Sequence, residues 1–452
     1  MKKVIVIIIF AAFMIAGSDL TARPSIGGFN VYYGHLHNHC NISDGWFSPD
    51  YAYRYARNNG RLDFFSLSDH STSMTALEWA DMKAAADKYN ESGVFTAFWG
   101  FEWTENVLGH VTIINSADYI TTAAPTNTFT GLCNWLNKNE CVAFFNHPGR
   151  NNSTGKEFSH FATIPSDKIV GMELWNKTQR FEKYYYTDGY YTNDGNLGCY
   201  DEALTRGWKI GAAGSEDNHF GTWGNMTDSR LAVLASSNNR AEIMNALKAR
   251  RFFSTYDKNL ALSFKIDGEE MGSTVTGGTC DVQILASDAD NEIFARIELI
   301  RNGFVIKSWD PGSSNPVIRS RFNCSDGEYY YIRVIQQDGD QAISSPIRIS
   351  DGSDDLYYHT ITPTSDNITG KDDYTDKEET ILFPNPARDV IFVDRGKHEI
   401  RGIEIYSLDG QPVKAVRNSD RISVKNLVPG IYTVRLTFEN NSFTTKKIVI
   451  SE

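Results

Sequence analysis

Several familiar chemistries are ruled out by what the 452-residue chain lacks. There is no CxxC pair, so a thiolate zinc knuckle has no ligands. There is no Gly-x-Ser-x-Gly elbow for a serine hydrolase and no G-x4-G-K-[ST] loop for a nucleotide phosphate. Basic residues are in deficit, 44 Lys and Arg against 56 Asp and Glu, for a net charge of -12. A surplus of acid argues against a nucleic-acid surface, yet not against an anionic substrate held at a metal. Beyond the first 22 residues no apolar run is long enough to cross a membrane as a helix.

That first segment pairs Lys2 and Lys3 with "VIVIIIFAAFMIAG", followed by small and polar residues. Residues 1–22 read as a secretory signal; an uncleaved N-terminal anchor is the alternative. Export permits disulfides. Of the six cysteines, Cys280 and Cys324 share a strand-rich region and form the leading pair. Cys133 and Cys141 form a second candidate pair, and Cys40 reads as a buried structural residue.

Residues 30–255 alternate strand-like runs ("DFFSLSDH", "FTAFWGFEW", "CVAFFNHP", "VGMELWN") with helical stretches such as "SPDYAYRYARNNG", "TALEWADMKAAADKYNESG" and "NRAEIMNALKARR". That alternation predicts a parallel sheet or α/β barrel whose site gathers at strand C-termini. Residues 258–350 become β-patterned and predict a small sandwich. Residues 351–379 are acidic and polar and predict a linker, and residues 380–452 predict a second small all-β module.

Ten histidines are present, and seven fall at or beside these strand ends. "YYGHLHNHCNISDG" sets His35, His37 and His39 two apart, so a strand would point all three the same way. Asp44 follows. Asp69 and His70 close "SLSDH", Glu102 sits in "GFEW", His110 in "LGHVTIIN", His147 in "FNHPGR", and Asp217 and His219 in "GSEDNH". One histidine at a strand end is ordinary, but this ordered set with interleaved carboxylates is not. Nitrogen and oxygen donors of this kind suit Zn, Mn or Fe, and Glu102 could bridge two ions.

These residues resemble the polymerase and histidinol phosphatase superfamily, the PHP metallohydrolases, over roughly residues 30–255. In that register Gly34, Leu36, His37, His39, Ser43, Asp44 and Gly45 match the first motif, while His35 stands where the family usually has Asp. The resemblance implies a distorted seven-stranded α/β barrel holding two or three divalent ions. Its ligands would be His37, His39, Asp44, His70, Glu102, His110, His147, Asp217 and His219. His35 would orient a neighbour; a register with His35 and His37 as ligands is the alternative. Asp69 would support a ligand or the strand end, and Glu173 and Asn176 would line the cleft. The nucleophile would be a metal-bridging hydroxide, with His110 or a metal-bound water protonating the leaving group and Arg150 meeting a substrate phosphate.

The chain's end resembles the sorting domain of type IX secretion, through "LFPNPARDVIFV", "IEIYSLDGQPV" and "ISVKNLVPGIYTVRL". Its marks are Pro384, Asn385, Pro386, Asp409, Gly410, Pro429, Gly430 and Tyr432. The expected protein is therefore an exported phosphoesterase that meets the type IX machinery, acts on a small or oligomeric ester and keeps no transmembrane segment. A carboxylesterase, carbamate hydrolase or amidase of the same fold is one alternative. A non-catalytic metal-containing binding protein is another, and the amidohydrolase superfamily, which also begins with H-x-H, is a third.

Overall fold

The computed structural model describes residues 24–148, 166–176, 199–350 and most of 381–450. The signal segment, the linker and Arg150 lie outside the described residues. A short β1 (Ser25–Ile26) leads into β2 (Phe29–His35), α1 (Pro49–Asn58), β3 (Phe64–Leu67), α2 (Ala76–Tyr89) and β4 (Thr96–Glu105). Then come β5 (Gly109–Ile114), α3 (Phe129–Leu136), β6 (Val142–Phe145), β7 (Ile169–Asn176) and α4 (Cys199–Thr205). The α/β part closes with β8 (Gly211–Ser215), β9 (Arg230–Ala235), α5 (Arg240–Lys248) and β10 (Phe252–Thr255).

Local signals account for the helices. Ser48 caps α1 with Pro in its first turn, and Ala52, Tyr53 and Ala56 turn one face inward. Thr75 and Glu78 make a reciprocal capping box for α2, which buries Trp79, Met82, Ala85 and Ala86. Asn239 caps α5.

The strands pair in the order β10-β9-β2-β3-β4-β5-β6-β7-β8. This sheet curls until β8 lies against β9, where a Cβ on Gly214 would fall 2.6 Å from the Arg230 carbonyl. The sheet is mixed, because β4 and β5 are an antiparallel hairpin and β9 runs antiparallel to β2. The hairpin has a consequence for the site: it brings the start of β5, carrying His110, level with the end of β4. Alternation then sorts the side chains. On β4, Phe98 and Glu102 share a face; on β5, Ile114, Thr112 and His110; on β6, Phe144 with Asn146 just beyond. The apolar members pack together with Phe64, Leu231 and Phe252 and with Ile243 and Leu247 of α5. The polar members sit one step further along, at the mouth.

Strands β11 (Ala261–Ile266), β12 (Glu269–Glu270), β13 (Thr274–Val275), β14 (Gly278–Ser287) and β15 (Phe294–Arg301) begin the next part. They continue with β16 (Phe304–Trp309), β17 (Val317–Cys324), β18 (Tyr329–Gln336), β19 (Gln341–Ser344) and β20 (Ile347–Ile349). A sheet ordered β12-β11-β14-β17 faces the strands around β18, with Leu262, Phe264, Ile284, Ile332 and Val334 among the residues between them. Because β10 pairs with β19, this sandwich is hydrogen-bonded to the barrel through one continuous sheet. Cys280 and Cys324 form a disulfide between β14 and β17. Cys133 and Cys141 do not pair: both are buried free thiols, Cys133 on the inner face of α3 and Cys141 just before β6. Cys40 is also a buried free thiol.

The tail is built from a three-stranded sheet (381–383, 390–394, 421–423) and a four-stranded one (400–406, 412–417, 430–438, 443–450). Its core is drawn from its own residues, including Leu382, Ile391, Ile403, Val434, Leu436 and Ile448.

A buried acid marks the contact between barrel and sandwich. Burial lifts the Asp201 carboxyl to about 6, although the hydroxyls of Tyr331 and Tyr329 donate to it at 3.0 and 3.3 Å and pull it down. The folded protein thus keeps a proton that an unfolded carboxyl releases near pH ~4. Stability from this group is complete below about pH 4 and is lost as pH rises through about 6, by about 3 kcal/mol. Asp201→Asn keeps an acceptor for both hydroxyls. Its thermal midpoint should therefore fall less than the wild type's between pH 4 and 6.5, in roughly that proportion; parallel curves would rule out Asp201 as the cause.

Candidate metal centre

Backbone bonds between strand ends build the frame. Asn38 bridges Asn218, and His70 bridges Glu102. The His39 amide donates to the Asn218 carbonyl (3.0 Å), the Glu102 amide to Asp69 (3.0 Å), the Ser71 amide to Glu102 (3.0 Å) and the Asn146 amide to His110 (3.1 Å). His147 and Asp217 hold positive φ of 27° and 47°, a conformation non-glycine residues adopt at a cost of ~1–3 kcal/mol each.

On that frame the nine residues His37, His39, Asp44, His70, Glu102, His110, His147, Asp217 and His219 come together. They form four overlapping groups whose donor atoms lie within 4.8 Å of one another: His37, His39 and Glu102; His37, His147 and Asp217; Glu102, His110 and His147; and Asp44, His39, His70 and His219. Glu102 is the centre. Its Oε1 lies 3.2 Å from His37, 3.1 Å from His110 and 3.4 Å from His147, and its Oε2 lies 2.6 Å from His70 and 3.7 Å from His39. Asp217 Oδ1 is 3.1 Å from both His37 and His39. Asp44, more than half exposed, faces His219 at 3.2 Å and His39 and His70 at 3.6 Å, so the cluster opens to solvent there.

The donor set fits divalent ions. His37 Nδ1 is 2.8 Å from Glu173, which fixes the proton on that nitrogen and leaves the Nε2 lone pair facing inward. There it meets His39 Nε2 at 3.2 Å and two carboxylate oxygens. His219 Nδ1 donates to the Asp217 carbonyl at 2.7 Å, turning its Nε2 toward Asp44 in the same way. Nitrogen lone pairs and carboxylates that face one another at such distances need protons or cations between them. In the ion-free state protons take that place. Burial works against charging His37, yet Asp217, Glu173 and Glu102 raise it well above the ordinary range. Burial is likewise outweighed at His70, which Glu102 and Asp44 push up to about 10. His39, buried and faced by His219, is held down at about 3. Burial alone would raise Glu102 and Asp217; the surrounding imidazoles bring both well below the usual carboxylate range. Ion binding would release the His37 and His70 protons.

Other sequence-expected residues stand one layer back. His35 Nε2 lies 2.7 Å from the Ser229 carbonyl and its Nδ1 faces Glu216 at 3.7 Å, and it belongs to none of the four groups. Burial outweighs that carboxylate and holds it down at about 4. Glu173 supports His37 with one oxygen and accepts from the His147 amide (2.7 Å) and Asn176 (2.6 Å) with the other, which leaves Asn176 behind it. Asp69 accepts from Cys40 and Ser43 amides (2.9 and 3.0 Å) and from the Ser43 hydroxyl (2.7 Å), ordering the loop that presents Asp44.

Two participants escape a search for imidazoles and obvious carboxylates. Asn146 donates to Glu102 Oε1 at 2.7 Å and stands 3.3 Å from His37 Nε2; its position directly before His147 was the available signal. Glu216, directly before Asp217, accepts from the Gly224, Met226 and Thr227 amides at 2.8, 3.1 and 3.1 Å and so ties down the loop after His219.

Residues 381–451 match the secretion system C-terminal sorting domain. In that module Pro429 and Gly430 lead into the strand 430–438, and the Tyr432 hydroxyl donates to the Val428 carbonyl at 2.7 Å. Pro384, Asn385, Pro386, Asp409 and Gly410 lie outside the described residues. The sorting domain implies passage through the type IX machinery and a secreted or cell-surface location. No helix among the described residues is long and apolar enough to cross a membrane.

Residues 63–187 match a family described as a protein of unknown function, DUF3604. An uncharacterized protein of Chlamydia pneumoniae is 29% identical over 134 residues, covering 26% of this chain and 22% of its own. One from Chlamydia muridarum is 22% identical over 369 residues, covering 71% and 57%. The chain thus spans less than two thirds of the length of these relatives. Among solved structures, a two-domain protein of Bacteroides vulgatus containing a predicted PHP-like metal-dependent phosphoesterase aligns with 72% of this chain and 97% of its own. The TM-score is 0.43 at 15% identity.

Proposed function

We propose that this protein is an exported metal-dependent hydrolase of ester bonds, with phosphoesters as its substrate class. The observation that carries the reading is Glu102: one fully buried carboxylate touching five imidazoles, the arrangement of a group shared between ions. His37, His39, Glu102 and Asp217 would hold one ion; Glu102, His110 and His147 a second; Asp44, His70 and His219 a third. Zn, Mn and Fe suit these donors. Ions held there would lower the pKa of water and draw charge from a phosphoryl oxygen.

The chain's own residues divide the remaining work. Glu173 and Asn146 hold His37 and Glu102 in register, so the ligands are set before substrate arrives. His70, His110 and His219 are partly exposed and face the opening, where a substrate oxygen would enter. His110 would give a proton to the leaving group, and Arg150 would pair with phosphate. The closed seven-stranded form of the barrel belongs to the same reading, as does a cleaved signal at residues 1–22.

Purified protein supplied with Zn or Mn should hydrolyse an aryl phosphate at least ~10-fold faster than the matching aryl acetate. Turnover of the acetate alone would overturn the phosphoester assignment. Turnover of neither would favour a binding protein.

A further inference from the structure

A second cluster lies far along the sequence from the histidine centre, where four strand ends meet between barrel and sandwich. Asp257 follows β10, Asp288 follows β14, Glu292 precedes β15, and Gln336 ends β18. The three carboxylates offer oxygens within 4.8 Å of one another. Asp257 is 7% exposed, Asp288 5% and Gln336 1%. No ion pair reaches Asp257, Asp288 or Glu292 from a Lys, Arg or His among the described residues.

Acidic clusters are common, and Gln336 is what sets this one apart. Its amide tip is driven into the middle of the carboxylates, with Nε2 at 3.0 Å from Asp257, 3.1 Å from Asp288 and 3.0 Å from Glu292. Two N–H bonds cannot serve three acceptors fully. Its Oε1, fully buried, has no hydrogen-bond partner at all. Rotating the amide about its last side-chain bond exchanges the two atoms and places that oxygen among the three carboxylates.

We infer that Asp257, Asp288, Glu292 and Gln336 form a calcium site. All four donors are oxygens, as a hard cation requires, and no imidazole or thiolate competes for a softer metal. Two oxygens on opposite sides of a calcium ion stand about 4.8 Å apart at a bond length of ~2.4 Å, and the three carboxylates offer oxygens no farther apart than that. Asp288 also arranges the loop between β14 and β15, accepting from the Asp290 and Glu292 amides at 2.8 and 2.9 Å. In the ion-free state, burial and the neighbouring Asp288 push the Asp257 carboxyl up to about 7. A bound ion would join β10 of the barrel to three strands of the sandwich and stiffen the connection between them.

The test uses the full chain, its histidine centre first saturated with Zn so that calcium does not report from there. Calorimetric titration with calcium chloride should give one site with Kd in the ~0.1–1 mM range, and about 10 mM calcium should raise the melting temperature by ~5 °C. Asp288→Asn keeps the acceptor for both loop amides while removing a charge. It should lose the calcium response yet melt no lower than wild type without calcium. Gln336→Glu adds a fourth carboxylate, so it should melt lower without calcium and gain a larger shift with it. Absence of any calcium-dependent shift in the wild type, or equal shifts in all three proteins, would overturn the assignment.

Discussion

Glu102→Gln should reduce kcat/KM by at least ~10³-fold and lower bound metal by about one ion per chain, with the fold retained. The substitution is nearly isosteric in a fully buried position, so packing alone would barely register it. What changes is charge and hydrogen bonding. One oxygen now within 2.6 Å of His70, or the other within 3.1 Å of His110 and 2.7 Å of Asn146, becomes an NH2 group. That group presents protons where imidazole lone pairs and a cation need an anion. His35→Ala is the informative contrast: His35 meets Ser229 and Glu216 and none of the nine clustered residues, so metal content should stay near the wild-type value. Metal analysis by mass spectrometry alongside turnover checks both. Full turnover in Glu102→Gln would remove it as a bridging group, and metal loss in His35→Ala instead would move the ligand register by two residues.

Removal of residues 380–452 should abolish surface location in the native host while leaving purified activity within about twofold of wild type. The match of residues 381–451 to a secretion sorting domain carries the first half of this expectation. The second rests on packing. The tail's core, with Leu382, Ile391, Ile403, Val434 and Ile448, contains only tail residues, whereas the barrel and sandwich cores end at Ile349. Its loss therefore opens no cavity in the barrel or the sandwich. Fractionation followed by protease shaving of intact cells gives the location. Surface protein despite the deletion would refute a sorting role, and loss of activity in the purified truncation would refute the independence of the two cores.

The local sequence carried much of this architecture. The stretches that begin at Ser48 and Thr75 were legible as helices because helical patterning is a property of neighbouring residues, and both residues cap them in the structure. The polar ends of β3, β4 and β6 were legible for the same reason: an apolar run that stops at Asp-His, Glu or Asn-His is a local pattern. Alternation alone gives His35, His37 and His39 the same direction, and it was the family resemblance that singled out His37 and His39 and set His35 apart. Only the Ser229 carbonyl and Glu216, just before β9 and just after β8, claim His35 for a different environment. Asn146 and Glu216 went unread because an amide or a single carboxylate announces no role until its partners are in place. The Cys133 and Cys141 pairing failed for a related reason, as eight residues of spacing say nothing of the helix face that buries one of them.

The sequence by itself determined which imidazoles and carboxylates cluster, the alternation of strand and helix beneath them and the sorting module, all of which are written in short runs. Only the tertiary structure decided that β10 pairs with β19, that a hairpin lifts His110 to the level of Glu102, and that Asp257, Asp288, Glu292 and Gln336 share one point. Those relations reach residues as much as 91 positions apart, as 344 and 253 show. Chain closure and burial select such pairings together, and no window of neighbouring residues contains them.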